Sequence, residues 1–231
     1  MDGTLLEIAP TPDAVRVDDH LRQLLAEVSH ALEGAVALVS GRSIAALDRL
    51  FAPLRWPAAG LHGLERRDAV GRLHRHAPAR QGLDEARLHL LYLAARTPGM
   101  LLEDKGIAIA VHYRAAPEIE PALRRALGEV AARLAPEYHL LEGKQVFELR
   151  PASATKADAV QAFMREAPFA GRRPIYVGDD ITDLDGFAAV ERAGGLSVAV
   201  GDRVDARLRV ASPRDVRALL ADLSERRSPA P

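Results

Sequence analysis

Three short, continuously apolar runs constrain this fold more than any other feature of the chain. Ala35-Val36-Ala37-Leu38-Val39 leads into Ser40-Gly41, Ile175-Tyr176-Val177 leads into Gly178-Asp179, and Leu196-Ser197-Val198-Ala199-Val200 stands between helical patterns. Apolar residues without alternation mean strands buried on both faces, the signature of a parallel sheet flanked by helices. The intervening segments carry helical spacing. Leu21, Leu24, Leu25, Val28 and Leu32 fall on one face of 18–33, and Ile44, Leu47, Leu50 and Phe51 follow a start at Ser43. Further helices are expected over 155–166, 183–192 and 213–224. Ala58-Ala59-Gly60-Leu61 reads as one more strand, and 66–77 as a polar hairpin around Val70-Gly71.

The middle of the chain has a different rhythm. A helix over 82–97 precedes strands 101–104 and 107–113, which turn at Asp104-Lys105-Gly106. An amphipathic helix over 118–134, striped by Ile119, Leu123, Leu127, Val130 and Leu134, precedes strands 138–142 and 145–149 around Gly143. That order, αββαββ, predicts an antiparallel sheet covered on one side. The fold class expected is therefore α/β: a Rossmann-like core with a parallel sheet over 1–80 and 151–224, interrupted by an αββαββ unit over 81–150. Residues 225–231 are polar and Pro-rich and are expected to be a disordered tail.

Composition excludes several function classes. The chain has 231 residues, with 31 basic against 32 acidic side chains, so no basic excess recommends a nucleic acid. No apolar run reaches the roughly 20 residues that span a bilayer, and no secretory segment follows Met1, so neither membrane nor export is expected. Without cysteine, thiolate nucleophiles, thiolate metal sites and disulfides are ruled out, which fits a cytoplasmic protein. Of the 31 basic residues only Lys105, Lys144 and Lys156 are lysines. Where arginine is so strongly favoured, a lysine marks either chance survival or a place that needs a compact ammonium.

The chemistry-bearing block is Gly178-Asp179-Asp180-Ile181-Thr182-Asp183, directly after an apolar strand. Three carboxylates within five residues repel one another unless a cation neutralises them, and a hard divalent ion, Mg²⁺ above all, suits oxygen ligands. Ligands of open α/β sheets bind at the C-terminal ends of the strands. An acidic helix start would explain one of these residues, but not all three. Ser40, with Gly41 and Arg42 behind it, ends another buried strand; it reads either as a phosphate-binding hydroxyl or as the N-cap before Ile44. Lys156 opens the helix after Pro151 beside the same edge. At the N-terminus, Asp2-Gly3-Thr4 is by itself either a turn or part of a catalytic motif.

Taken in order, Asp2-Gly3-Thr4, Ser40, Lys156 and Asp179/Asp183 resemble the four motifs of the haloacid dehalogenase-like phosphatases. Carboxylate, hydroxyl, lysine and metal are what phosphoryl transfer through an aspartyl phosphate requires. The likeness narrows with His62-Gly63-Leu64-Glu65-Arg66-Arg67, Glu103-Asp104-Lys105-Gly106, His112-Tyr113-Arg114, Gly143-Lys144, Glu148-Leu149-Arg150-Pro151 and Gly178–Asp183. These blocks, with Glu166-Ala167-Pro168-Phe169 and Gly194–Val198, look like those of the bacterial trehalose-6-phosphate phosphatase family. The match runs over nearly the whole chain.

That resemblance implies Mg²⁺-dependent hydrolysis of trehalose 6-phosphate by a monomer whose inserted unit closes over the sugar. It makes Asp2 the general acid/base and a metal ligand through its carbonyl. Asp179 becomes the main metal carboxylate, with Asp183 supporting it directly or through water. Ser40 and Lys156 would hold the phosphoryl group, with Gly3, Thr4, Gly41 and Arg42 beside it. Glu103, Lys105, Lys144 and Glu148, and more loosely Arg114 and His62, would bind the disaccharide, whose hydroxyls suit a charged hydrogen-bonding site. The remaining histidines, His20, His30, His74, His76, His89 and His139, are expected at the surface. Three departures stand out. The motif's nucleophile would fall one position before Met1, so the chain as numbered should bind better than it catalyses, or act as a sugar-phosphate-binding pseudoenzyme. Leu184 follows Asp183, in Asp183-Leu184-Asp185, where the family has a glutamate, and Pro151–Lys156 lacks the usual glycines. Sucrose 6-phosphate or a mannosyl phosphate are the alternative substrates.

Overall fold

The computed structural model describes residues 1–11, 14–75, 82–152 and 154–227. The chain divides into two compact units, Met1–Arg75 with Thr155–Pro231, and His76–Ala154.

In the first unit, α1 (Asp19–Ala31) is capped by Asp18, whose carboxylate accepts the Leu21 N–H, and ends through left-handed Glu33 and Gly34. The apolar run that follows yields only a two-residue strand, β1 (Leu38–Val39). Its first residues are still turning out of the helix, with Ala35 N–H bonded to Leu32 C=O and Val36 N–H to Gly34 C=O. β1 pairs in parallel with β2 (Ala58–Gly60), and β3 (Glu65–Arg67) and β4 (Leu73–Arg75) add antiparallel to it. The β3–β4 hairpin turns at Val70-Gly71, where Asp68 accepts from the Val70 and Arg72 amides. Residues 76 and 77 of the expected hairpin lie outside the described residues, as does His76 of the expected surface histidines.

Alternation explains the layering of this sheet. Leu38 and Ala58 belong to one apolar cluster with α1, α2 (Ile44–Phe51) and Trp56. Their neighbours Val39 and Ala59 belong to another, with Phe163 of α5 (Lys156–Met164) and Phe169. Successive strand residues point to opposite faces, so each face is covered by its own helices. A second, parallel sheet runs β11–β10–β9, with β9 (Ile175–Gly178), β10 (Leu196–Val200) and β11 (Leu208–Val210). It packs on α5 and on α6 (Leu184–Arg192) through Val160, Phe187 and Val190. The closing helix α7 (Pro213–Arg227) packs on α1 and continues past Ser224, so the start of the expected tail is helical; 228–231 lie outside the described residues.

The second unit has the order α3 (Leu83–Arg96), β5 (Leu101–Asp104), β6 (Ile109–His112), α4 (Glu120–Leu134), β7 (Tyr138–Gly143), β8 (Val146–Pro151). Its four strands form one antiparallel sheet, β5–β6–β8–β7. Ile109, Val111, Tyr138, Phe147 and Leu149 share one sheet face and pack against Leu83, Leu90, Leu123, Leu127 and Val130 of the two helices. The register aligns Glu103, Ala110, Glu148 and Leu141 across the other face. Among the described residues no helix is long and apolar enough to cross a membrane.

Candidate active site

In the first unit the candidate residues meet at the C-terminal ends of β1 and β9. Ser40 is the residue after β1, 3% exposed, and its hydroxyl accepts the Arg42 N–H at 3.1 Å. The cap of α2 is Ser43, whose hydroxyl accepts from Ala46. Ser40 is therefore free of the capping role that its position before Ile44 also suggested. Arg42 reaches the N-terminal segment and grips Asp2 with two bonds, Nε to Oδ2 at 2.8 Å and Nη2 to Oδ1 at 3.1 Å. A paired guanidinium–carboxylate fork of this kind fixes orientation as well as charge. His62 is buried, its ring so close to Gly41 that a Cβ there would fall 2.6 Å from Nε2.

Gly3 and Thr4 address β9. Buried Thr4 donates from Oγ1 to Asp179 Oδ1 at 2.6 Å. Gly3 adopts φ +82°, and a side chain there would begin 2.0 Å from Asp179 Oδ2. Only glycine meets both the left-handed backbone and the close approach.

The three carboxylates of Gly178–Asp183 have three different fates. Asp183 is 3% exposed and accepts four bonds: Lys156 Nζ at 2.6 Å and Tyr176 Oη at 2.8 Å on Oδ1, the Asp179 and Asp180 amides on Oδ2. Burial works to raise its carboxyl, but the Lys156 ammonium and these donors outweigh it and hold the group at about 2. Burial and the same carboxylate together push the Tyr176 hydroxyl well above its ordinary range. Asp180 pairs with Arg203 at 2.8 Å and accepts the Asp183 amide in a capping box. Among the described residues no ion pair joins Asp179 to a Lys or Arg side chain, and Thr4 donates to it. Burial, then the neighbouring Asp183 and Asp180, raise its carboxyl above the usual carboxylate range.

Among the described residues no three His, Asp or Glu side chains gather where they could hold a metal. Whereas zinc and calcium need fuller protein cages, Mg²⁺ keeps several waters and takes one or two carboxylates plus substrate phosphate. Asp179, a half-buried carboxylate raised by burial and paired with no Lys or Arg among the described residues, is the group suited to such an ion.

The candidate residues of the second unit form their own group. On the sheet face away from α3 and α4, Lys105 Nζ bonds Glu148 Oε1 at 3.2 Å, and His112 Nε2 lies 2.9 Å from Glu103 Oε2. The His112 contact, and Lys105 behind it, hold the Glu103 carboxyl below its ordinary value. Arg114 is half-buried just beyond β6, and Lys144 stands exposed in the β7–β8 turn. Two participants, Tyr176 and Arg203, escaped the sequence reading, and Glu65 entered it only as part of the His62–Arg67 block, with no role assigned. Only Tyr176 carried a signal, a hydroxyl inside an otherwise apolar strand.

The comparisons with known proteins agree with one another. The family model Trehalose-phosphatase matches residues 1–215. The chain is 47% identical over 203 residues to the trehalose-6-phosphate phosphatase of Escherichia coli, covering 87% of this chain and 75% of that one. It is 46% identical over 206 residues to a probable trehalose-phosphate phosphatase of Sinorhizobium fredii, covering 89% and 77%. Among solved structures it resembles the C-terminal domain of a Candida albicans trehalose-6-phosphate phosphatase, with a TM-score of 0.84, 23% identity, and coverage of 96% and 89%. A haloacid dehalogenase-like hydrolase from Bacillus subtilis superposes with a TM-score of 0.64 at 15% identity, covering 95% and 96%, a likeness of fold alone. With most of its length matched by that model and by relatives of such identity, the chain belongs to the trehalose-phosphatase family.

Proposed function

We propose that the chain hydrolyses trehalose 6-phosphate to trehalose and phosphate with Mg²⁺, through an aspartyl phosphate. The observation that carries the site is the electrostatic isolation of Asp179: its carboxyl is raised by burial, while Asp180 and Asp183 beside it are paired with Arg203 and Lys156. Asp179 would hold the metal, with the Asp2 carbonyl, and Asp183, whose carboxylate already accepts four bonds, would support it. When bound, Mg²⁺ screens the repulsion between an attacking carboxylate and the phosphate anion.

The chain's own groups supply the rest. In an Asp-x-Asp motif the attacking carboxylate stands two residues before the acid/base; with Asp2 as the acid/base, that position precedes Met1 of the sequence given. As the oxygen–phosphorus bond to that carboxylate forms, the bond to the sugar 6-oxygen breaks and Asp2 gives that oxygen its proton. In the second step Asp2 takes a proton from the water that attacks phosphorus, and phosphate leaves. Ser40, Lys156 and the backbone around Gly3, Thr4 and Gly41 orient the phosphoryl oxygens, and Arg42 holds Asp2 until substrate competes for the guanidinium. Glu103, Lys105, Arg114, Lys144 and Glu148 of the second unit take the sugar hydroxyls. We further infer that the protein acts as a monomer in the cytoplasm.

Phosphate release from a panel of sugar phosphates, with metal-stripped and Mg²⁺-loaded protein, tests this. Turnover of trehalose 6-phosphate only with Mg²⁺ is expected. Turnover of sucrose 6-phosphate or another hexose phosphate in its place would sink the substrate assignment. Mg²⁺-dependent binding without turnover would make the chain a binding protein instead.

A further inference from the structure

Residues 60–65 brace the loop Ser40–Ile44. Leu61 and His62 donate their amides to the Arg42 and Ser40 carbonyls, each at 3.0 Å, and both adopt left-handed backbones, φ 51° and 58°. Such consecutive non-glycine residues are costly and persist only where surrounding structure enforces them. Gly60 lies so close to the loop that a Cβ would fall 2.8 Å from both Arg42 O and Ile44 N and 2.9 Å from Glu65 Oε1. Glu65 completes the arrangement. It is paired with Gly60 across β2 and β3, is 7% exposed, and its Oε1 accepts the Ile44 N–H at 2.5 Å. Helix α2 has no acidic residue in its own first turn, so this buried carboxylate supplies the negative charge at its N-terminus. Its other oxygen lies 3.7 Å from Nε of the largely exposed Arg75.

We propose that Glu65 is a positioning residue for phosphate binding: by anchoring Ile44 it fixes where the loop presents Ser40 and Arg42 to the phosphoryl group. The inference rests on the phosphatase reading of that loop. Glu65 touches neither substrate nor metal. It acts through the loop, and Gly60 is its partner because any larger residue there would push the loop off the carboxylate.

Calorimetric titration of inorganic phosphate into Mg²⁺-loaded protein reads this without turnover. Glu65→Ala removes a charge-assisted hydrogen bond and should weaken phosphate binding about tenfold or more. Glu65→Gln keeps an oxygen acceptor for Ile44 and should stay within about threefold. Gly60→Ala should weaken binding as Glu65→Ala does, with Glu65 intact. Phosphate affinity unchanged or tighter in a folded Glu65→Ala, or equal losses in Ala and Gln, would overturn the positioning role while leaving the phosphatase reading in place. A wild-type protein that binds no phosphate with Mg²⁺ would overturn that reading, and this inference with it.

Discussion

Asp179 and Asp183 stand one helical turn apart in the chain yet face opposite electrostatic surroundings. Asp183 gains from ionisation, because Lys156, Tyr176 and two amides meet its charge; Asp179 loses, because burial and two neighbouring carboxylates oppose it. The signs predict different behaviour. A carboxyl raised in the folded state costs stability while ionised, so Asp179→Asn should raise the Tm of metal-free protein, and Mg²⁺ should no longer shift that Tm. Thermal melts in chelator and in Mg²⁺ check both halves, and an Asn variant still stabilised by Mg²⁺ would remove Asp179 from the metal site. A carboxyl held at about 2 against an ordinary 3.8 stabilises fully above pH 4, and that stability is lost as pH falls through about 2. Asp183→Asn leaves Lys156 buried without its counter-ion and should cost about 3–5 kcal/mol at neutral pH, while flattening the acid limb of the urea-unfolding profile between about pH 4 and 2.

At the scale of elements, the sheet of the second unit separates packing from recognition by its period of two. Phe147 and Leu149 point to the helices, and Glu148 between them points to the other face beside Lys105. Substitutions on that second face should therefore leave folding largely intact. Lys105→Ala and Glu148→Ala are expected to raise KM for trehalose 6-phosphate about tenfold or more with kcat nearly unchanged, as loss of uniform binding does. Steady-state kinetics decide it; an unchanged KM would take the sugar site elsewhere. Much of this element pattern is legible in the sequence because apolar periodicity is local: the stripe from Leu123 to Leu134 and the runs ending at Val177 and Val200 announce themselves. β11 does not, since Leu208, Arg209 and Val210 form a short, exposed edge with no burial pattern. Nor do the partners of the acidic block. Arg203 and Tyr176 acquire their roles from tertiary approach, and Glu65 reaches Ile44 across 21 residues. The Asp-Gly-Thr tripeptide is legible only through a family likeness, because its meaning lies in Asp179, 175 residues away from Thr4.

At the scale of the molecule, two apolar cores are built from separate stretches of chain. The core of the second unit, with Leu83, Leu127 and Phe147 almost fully buried, draws nothing from the clusters around Leu21, Phe51 or Phe187. Leu127→Ala should cost that unit about 2–5 kcal/mol and leave the other unit's stability where it was. Hydrogen exchange followed by mass spectrometry would show faster exchange confined to α3, α4 and strands β5–β8; a uniform increase across both units would mean that they unfold as one. The scarcity of lysine makes a simpler probe of the same question. Lys144 is exposed, the Lys105 side chain is 11% exposed, and Lys156 is 5% exposed behind its carboxylate. An amine-acylating reagent therefore meets a graded set of targets. Lys144 should be modified first, and Lys156 should acquire its mass increment only as the first unit opens, so that the order of labelling becomes a clock for unfolding.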